Sequence, residues 1–243
     1  MGTVRERPRD RLHGGSRHRT VEQVLRLTLL CAVLLPPVAR GEDSMKRVEL
    51  PEPRTRGEVS IEQTLHQRRS VREYAPKPVA LVEAAQLLWA AQGITDAREG
   101  LRTAPSAGAL YPLELFLVAG EVAGLPAGVY RYQPRQHRLV EVAEGDRRRA
   151  LADVAFRQSF LRDSAGILVF AAVHERTKRK YGERGIRYVY MEAGHAAQNV
   201  YLQAVALGLG SVVVGAFDDA DVQRVLGIAE SPLYLMPFGQ PVD

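Results

Sequence analysis

Apolar positions along this chain alternate between helical spacing and short unbroken runs, and each change of rhythm marks an element. Ser60-Ile61-Glu62-Gln63 forms a capping box, and Ile61 and Leu65 begin a helix that delivers Arg68 and Arg69 at its end. A second helix runs from about Val79 to Gln92, with Leu81, Ala85, Leu88 and Trp89 on one face and Gly93 as its stop. At that spacing Trp89 reads as a core residue. Residues 94–112 form a loop rich in Gly, Pro and Ser. Leu113 to Ala119 is an apolar strand, and Val129–Tyr132 with Arg138–Val142 flank the turn Gln133-Pro134-Arg135 as a hairpin. Asp146 caps a helix reaching Phe156, and Gly166–Val173 is apolar enough to be a strand buried on both faces. The longest element is a helix from Ile186 to Leu207, rich in Ala and stopped by Gly208 and Gly210. Ser211–Ala216 reads as a buried strand, Asp219–Leu226 as a short helix and Leu233–Phe238 as a last strand. Helices and strands alternate without a strict βαβ rhythm, which predicts a mixed α+β protein.

The length of 243 residues suits one domain with a substantial core. The formal net charge is +5, and its location decides what it means. Residues 1–47 hold ten Lys/Arg and five Asp/Glu, whereas residues 48–243 hold 23 of each sign. The body is therefore neutral, and no global field draws a nucleic acid to it. The basic N-terminal segment reads as targeting. Arg17, Arg19 and Arg26 precede an apolar run from Leu27 to Leu35, with Ala39 and Gly41 as small residues at a cleavage site. The run is too short for a stable membrane span. Residues 1–41 thus form a signal-peptide-like segment, 42–59 an extended arm and 60–243 the folded domain, and export to a periplasm is the expectation. A start at Met45 would instead leave the protein cytoplasmic. Cys31 is the sole cysteine, so a cleaved chain has no thiol for disulfides, iron–sulfur clusters or thiolate zinc sites.

Arg68-Arg69-Ser70-Val71-Arg72 places three guanidinium groups and a hydroxyl in five positions, a density suited to an anionic ligand. Gly208-Leu209-Gly210 follows a helix and precedes a strand, the reverse of a dinucleotide-binding loop. The six histidines show no metal-ligand spacing, so no metal is expected, and His195 reads as a packing residue of the long helix. Ala104-Pro105-Ser106-Ala107-Gly108 lacks the first Gly of a serine-hydrolase elbow and follows a loop. Its small side chains instead leave room for a flat ring, with free N–H groups for ring carbonyls.

Arg68–Arg72, followed by Arg102-Thr103-Ala104-Pro105-Ser106-Ala107-Gly108-Ala109-Leu110-Tyr111-Pro112, resembles the nitroreductase superfamily, and within it the SagB/ThcOx-type flavin dehydrogenases. Lys180-Tyr181-Gly182-Glu183-Arg184-Gly185 leading into Glu192-Ala193-Gly194-His195, and Gly208–Ser211 through Gly215-Ala216-Phe217-Asp218, extend the likeness over residues 48–241. The resemblance implies a nitroreductase-like α+β fold, with a mixed central sheet flanked by helices, in an intertwined homodimer with FMN at the subunit interface. It places Arg68, Arg69, Ser70 and Arg72 on the phosphate and pyrimidine edge. Pro105, Ser106 and Ala107 would line the isoalloxazine from the partner subunit, Gln158 would meet its polar edge, and Gly215 and Ala216 would offer backbone groups near N5 and O4.

In azoline-oxidising members an adjacent Lys-Tyr pair serves deprotonation, and Lys180-Tyr181 aligns with it. Unperturbed, both groups titrate near pH 10, so Lys178 and Arg179 would have to lower them; otherwise Arg176 to Lys180 is a solvated basic loop. The resemblance also brings a Lys or Arg near the C-terminus, which residues 239–243 do not supply, leaving Arg68 and Arg72 as the main phosphate ligands. The implied activity is hydride transfer between a small organic substrate and flavin. Nitro or quinone reduction with NAD(P)H as electron donor, and a flavin carrier without turnover, stay open beside it.

Overall fold

The computed structural model describes residues 46–242. The expected signal segment, Cys31 and Met45 lie outside them. Within the described residues no helix is long and apolar enough to cross a membrane.

A seven-stranded sheet organises the domain. Its strands are β1 (Arg47–Glu49), β5 (Leu113–Ala119), β7 (Gly128–Gln133), β8 (Arg138–Glu144), β9 (Gly166–Ala172), β10 (Gly210–Ser211) and β11 (Ser231–Gly239). They lie in the order β1-β8-β7-β5-β9-β11-β10, and every ladder between them is antiparallel. Parallel pairing enters at the β10 edge, where Ser70 bridges Ser211. The arm of residues 42–59 is thus more than a tether, because its β1 closes the opposite edge. Small pairs β2 (Val79–Ala80) with β6 (Val122–Ala123), and β3 (Ile94–Asp96) with β4 (Leu101–Arg102), stand apart from the main sheet.

The alternation of side chains splits the core in two. Leu113, Leu115 and Leu117 of β5 join Tyr130, Tyr132, Leu168, Phe170, Met236 and Phe238 on one face. That face is covered by α2 (Leu81–Gln92) and α6 (Arg184–Ala206), with Leu87, Leu88, Ala193 and Val200 in the cluster. Phe116 and Val118 join Val129, Ile167, Val169 and Leu235 on the other. There α3 (Arg148–Val154), α4 (Phe160–Asp163) and α7 (Asp219–Leu226) supply Leu151, Leu161 and Val222. β9 is buried at all seven positions because both faces are covered.

Several expected elements shift. Val79 and Ala80 form β2 rather than opening the second helix, whose N-terminus is closed by Glu83 accepting from the Ala80 N–H at 2.8 Å. Residues 94–112 contain the β3–β4 hairpin and a 3-10 turn at Ala107–Ala109. Asp146 does accept from the Arg148 N–H at 2.9 Å, but α3 stops at Val154. Past Ser211 the expected strand gives way to an irregular segment carrying a single bridge, Val214 to Leu235. Trp89 is only half-buried and lines a cavity of about 790 Å³ beside the arm. His195 is exposed and not packed, and its ring makes no hydrogen bond among the described residues.

Candidate active site

The Arg-rich segment is held in place by its two ends. The capping box forms as expected in α1 (Ile61–Gln67): Ser60 accepts from the Gln63 N–H and Gln63 reaches back to the Ser60 N–H. Arg68 is the helix C-cap, after which the chain runs extended beside β10 and Val71 N–H donates to the Ser211 carbonyl at 3.0 Å. Gly210 permits this approach, since a Cβ there would stand 2.5 Å from Val71 Cγ1. Gly208, at φ +73°, ends α6 in a Schellman turn, with Leu209 N–H on Ala204 O and Gly208 N–H on Val205 O. The Gly-Leu-Gly pattern is thus a helix stop plus a close contact.

From this segment Arg68 stacks on Tyr201 at 5.2 Å and Arg72 on Phe160 at 5.8 Å. Neither makes an ion pair among the described residues, so both keep their charge for another partner. Arg69 differs: its guanidinium donates to the carbonyls of His66 (2.9 Å) and Arg68 (2.8 Å), at the negative end of α1. Phe160 belongs to the segment that carries Gln158, whose Nε2 donates to the Ala216 carbonyl at 3.0 Å and to Ala155 O at 2.9 Å. Phe156 and Arg157 just before it both have positive φ, +54° and +60°, which turns the chain sharply toward residues 215–218. Gly215 and Ala216 are exposed, and neither N–H joins a backbone hydrogen bond. Arg68, Ser70, Arg72, Gln158, Gly215 and Ala216 therefore frame one basic, donor-rich lobe.

Pro105, Ser106 and Ala107 lie in a second lobe that shares no hydrogen bond or ring contact with the first among the described residues. Ser106 is extended, its hydroxyl accepts from the Tyr111 N–H at 2.9 Å, and no histidine reaches it. The hydrolase geometry is absent. Residues 176–180, for which a solvated basic loop is the alternative sequence reading, are helical, in α5 (Glu175–Tyr181). Gly185 lets the start of α6 pack on α5, because a Cβ there would come within 2.9 Å of the Thr177 backbone. That crossing aims Lys180 and Tyr181 back at the loop: both side-chain ends stand 2.8 Å from the Cβ position of Gly108. Tyr181 is braced edge-on against Tyr188 at 5.1 Å, and the Lys180 ammonium lies 5.4 Å from the Tyr181 ring. Lys178 is itself engaged, pairing with Glu183 at 3.0 Å and Glu175 at 3.4 Å.

One residue of this lobe escaped the sequence reading. Glu192 of α6 is 2% exposed and one of its carboxyl oxygens has no hydrogen-bond partner. Burial pushes its carboxyl up to about 7, against the opposing pull of the Ser106 hydroxyl and the Arg102 guanidinium. The signal was present: Glu192 falls in register with Val189, Ala193, Ala196 and Val200, the buried stripe of α6.

The guanidinium groups without ion pairs and the free N–H groups of the first lobe suit an anion, and in the second lobe the ends of Lys180 and Tyr181 fill the space over Gly108. No cluster of His, Cys, Asp or Glu among the described residues could hold a metal.

Known proteins share this chain's sequence pattern and fold. A Methanocaldococcus jannaschii protein, MJ1384, whose name places it among nitroreductases, is 48% identical over 186 residues, covering 76% of this chain and 93% of its own. A crystal structure from Ralstonia eutropha, named as a nitroreductase, superposes with a TM-score of 0.72 at 30% identity, over 81% of this chain and 90% of that one. The Escherichia coli microcin synthetase McbBCD, solved with truncated pro-MccB17 bound, matches with a TM-score of 0.64 at 26% identity, over 86% and 84%. The model described as the nitroreductase family matches residues 65–240, and the chain belongs to that family.

Proposed function

We propose that this chain is an FMN-dependent oxidoreductase of the SagB/ThcOx type, dehydrogenating a small organic substrate. The observation that carries the reading is the convergence of Lys180 and Tyr181 on Gly108, beside Ser106 and Ala107. FMN supplies a two-electron hydride acceptor. Arg68, Ser70 and Arg72 hold its phosphate and pyrimidine edge, while Gln158 fixes the Gly215-Ala216 turn that offers N–H groups to the ring. Lys180 and Tyr181 take the substrate proton, and the microcin synthetase likeness supports the dehydrogenase type of the reading. Arg69 has a supporting role at the end of α1.

The site is completed by a second copy of the chain, as a homodimer. Tyr190, Met191, Gly194 and His195 form an exposed stripe along α6, and Ile61 and Leu65 of α1 are 54% and 55% exposed. Exposed Tyr190 and Met191 together with Ile61 and Leu65 are expected to be covered. We also read residues 1–41 as an export signal, which N-terminal sequencing of the mature protein checks.

The absorbance spectrum of the purified protein tests the cofactor. A flavin band at about 450 nm is expected, and a colourless protein that takes up no added FMN refutes the reading. The likeness to MJ1384 supports a second direction, NAD(P)H-driven reduction of nitro compounds or quinones. Anaerobic titration with NADH and NADPH separates the two, since only the reductase bleaches the band.

A further inference from the structure

A cavity of about 310 Å³ opens where the end of α2, the β3–β4 hairpin, the β7–β8 turn and α5 meet. We propose that it is a binding site for a small oxyanion, a carboxylate or phosphate group, separate from the Arg68–Arg72 segment. Four guanidinium groups line it, from Arg102, Arg131, Arg135 and Arg176, against one lining carboxylate, Glu114. Glu114 is shared: one oxygen accepts from Arg131 at 3.1 Å and the other from Arg176. Arg131 finds a second acid in Glu230 at 2.6 Å. Arg135 has no acidic partner among the described residues. Its guanidinium lies over Gly100, 3.0 Å from where a Cβ would stand, and Gly100 at φ +69° keeps that space open.

The deeper wall carries the second observation. Gln92 is 1% exposed, and its Oε1 accepts from Arg102 at 2.7 Å. Its amide nitrogen, and Nε of Arg102, are buried with no partner. A buried donor left unpaired costs about 1–3 kcal/mol; both atoms are sealed beneath the wall, so the anion is drawn by the guanidinium-bearing side chains of Arg102, Arg131, Arg135 and Arg176 that line the cavity. Burial also lowers Arg102 below the ordinary guanidinium range, a cost that a bound anion offsets. The volume is at the lower end of the range of about 300–1,000 Å³ for ligand pockets, so it admits inorganic phosphate or a short carboxylic acid and excludes a nucleotide.

Occupancy bears on the neighbouring loop. Arg102 stacks on the Tyr111 ring at 4.4 Å and Arg176 donates to the Tyr111 carbonyl at 3.0 Å, while the Tyr111 N–H holds Ser106. The site does not depend on the flavin assignment.

Calorimetric titration of inorganic phosphate, and separately of acetate, into the purified protein with and without saturating FMN tests it. We expect binding that survives FMN, with Kd at or below about 1 mM. Arg135→Glu, an exposed change, should weaken the binding that survives FMN about tenfold or more, and Arg68→Ala/Arg72→Ala should leave that FMN-resistant component unchanged. No binding up to about 10 mM overturns the proposal, as does an Arg135→Glu variant that binds normally. Loss of binding in the Arg68/Arg72 variant alone assigns the anion to the other segment and overturns it equally.

Discussion

Lys180 Nζ stands 2.8 Å from the point where a Cβ on Gly108 would begin. The glycine therefore does two things at once. Its φ of +63° is a left-handed conformation that L side chains adopt at a cost, and its missing side chain is the space into which Lys180 and Tyr181 reach. Gly108→Ala should lose about 1 kcal/mol of stability from the backbone alone. The neighbours are flexible ends, so the fold survives and the pair is displaced. Turnover should drop about 10- to 100-fold, the cost of misplacing reacting groups, with FMN content retained. Equal activity in the variant would show that the pair need not sit over the loop.

The pair itself can be dissected. Tyr181→Phe keeps the ring against Tyr188 and removes only the hydroxyl, and Lys180→Ala removes the ammonium. Each should lower kcat by about 10²–10⁴-fold, the usual worth of general acid–base catalysis, while the flavin absorbance ratio stays that of the parent. Parallel loss of flavin and turnover would give the pair a structural role instead.

Arg68, Arg69 and Arg72 look equivalent in sequence, yet their surroundings distinguish them. Arg68 and Arg72 rest on aromatic rings without ion pairs, whereas Arg69 is engaged by two carbonyls. Arg68→Ala and Arg72→Ala should each weaken FMN about 10- to 100-fold, as expected for one charged hydrogen-bonding group. Arg69→Ala should change affinity little and instead lower the melting temperature slightly through α1. Flavin fluorescence titration of the three variants reads the order directly.

Where the sequence carried periodicity, the fold could be read from it. The capping box at Ser60, the runs of β5 and β9 and the long helix α6 came through within a few residues, because local pattern and tertiary burial agree there. It fell short where tertiary contacts decide. Residues 176–180 are open to a second reading as a solvated basic loop, and their fold rests on tertiary contacts: Arg176 turns inward to Glu114 and Tyr111, and that pairing supports a helix. The strand expected after Ser211 thins to the single Val214–Leu235 bridge because the Val213 N–H turns to the Tyr201 hydroxyl and the Ala216 carbonyl to Gln158. Of the candidate site, residue types were legible and their convergence was not: nothing in the spacing of Gly108 and Lys180 says that they meet. Glu192 is legible only once the buried stripe Val189, Ala193, Ala196 and Val200 of α6 is laid out, because it falls on that stripe.

Glu192 gives the protein a pH dependence of unusual sign for a carboxylate. Its folded value, pushed up to about 7 by burial, lies above the ordinary value of 4.5. The folded state therefore binds the proton more tightly than the unfolded chain. The stability this group contributes is fully present below pH 4.5, declines between there and about 7, and stays lost above, where a charge must be carried in a buried site. The span corresponds to at most about 3 kcal/mol. Glu192→Gln keeps the shape and removes the titration. Urea unfolding at pH 5 and pH 8 should show the parent losing stability across that interval relative to the variant, with the variant the more stable of the two at pH 8. Identical pH slopes for the two proteins would mean that Glu192 ionises in the folded state as freely as it does in water.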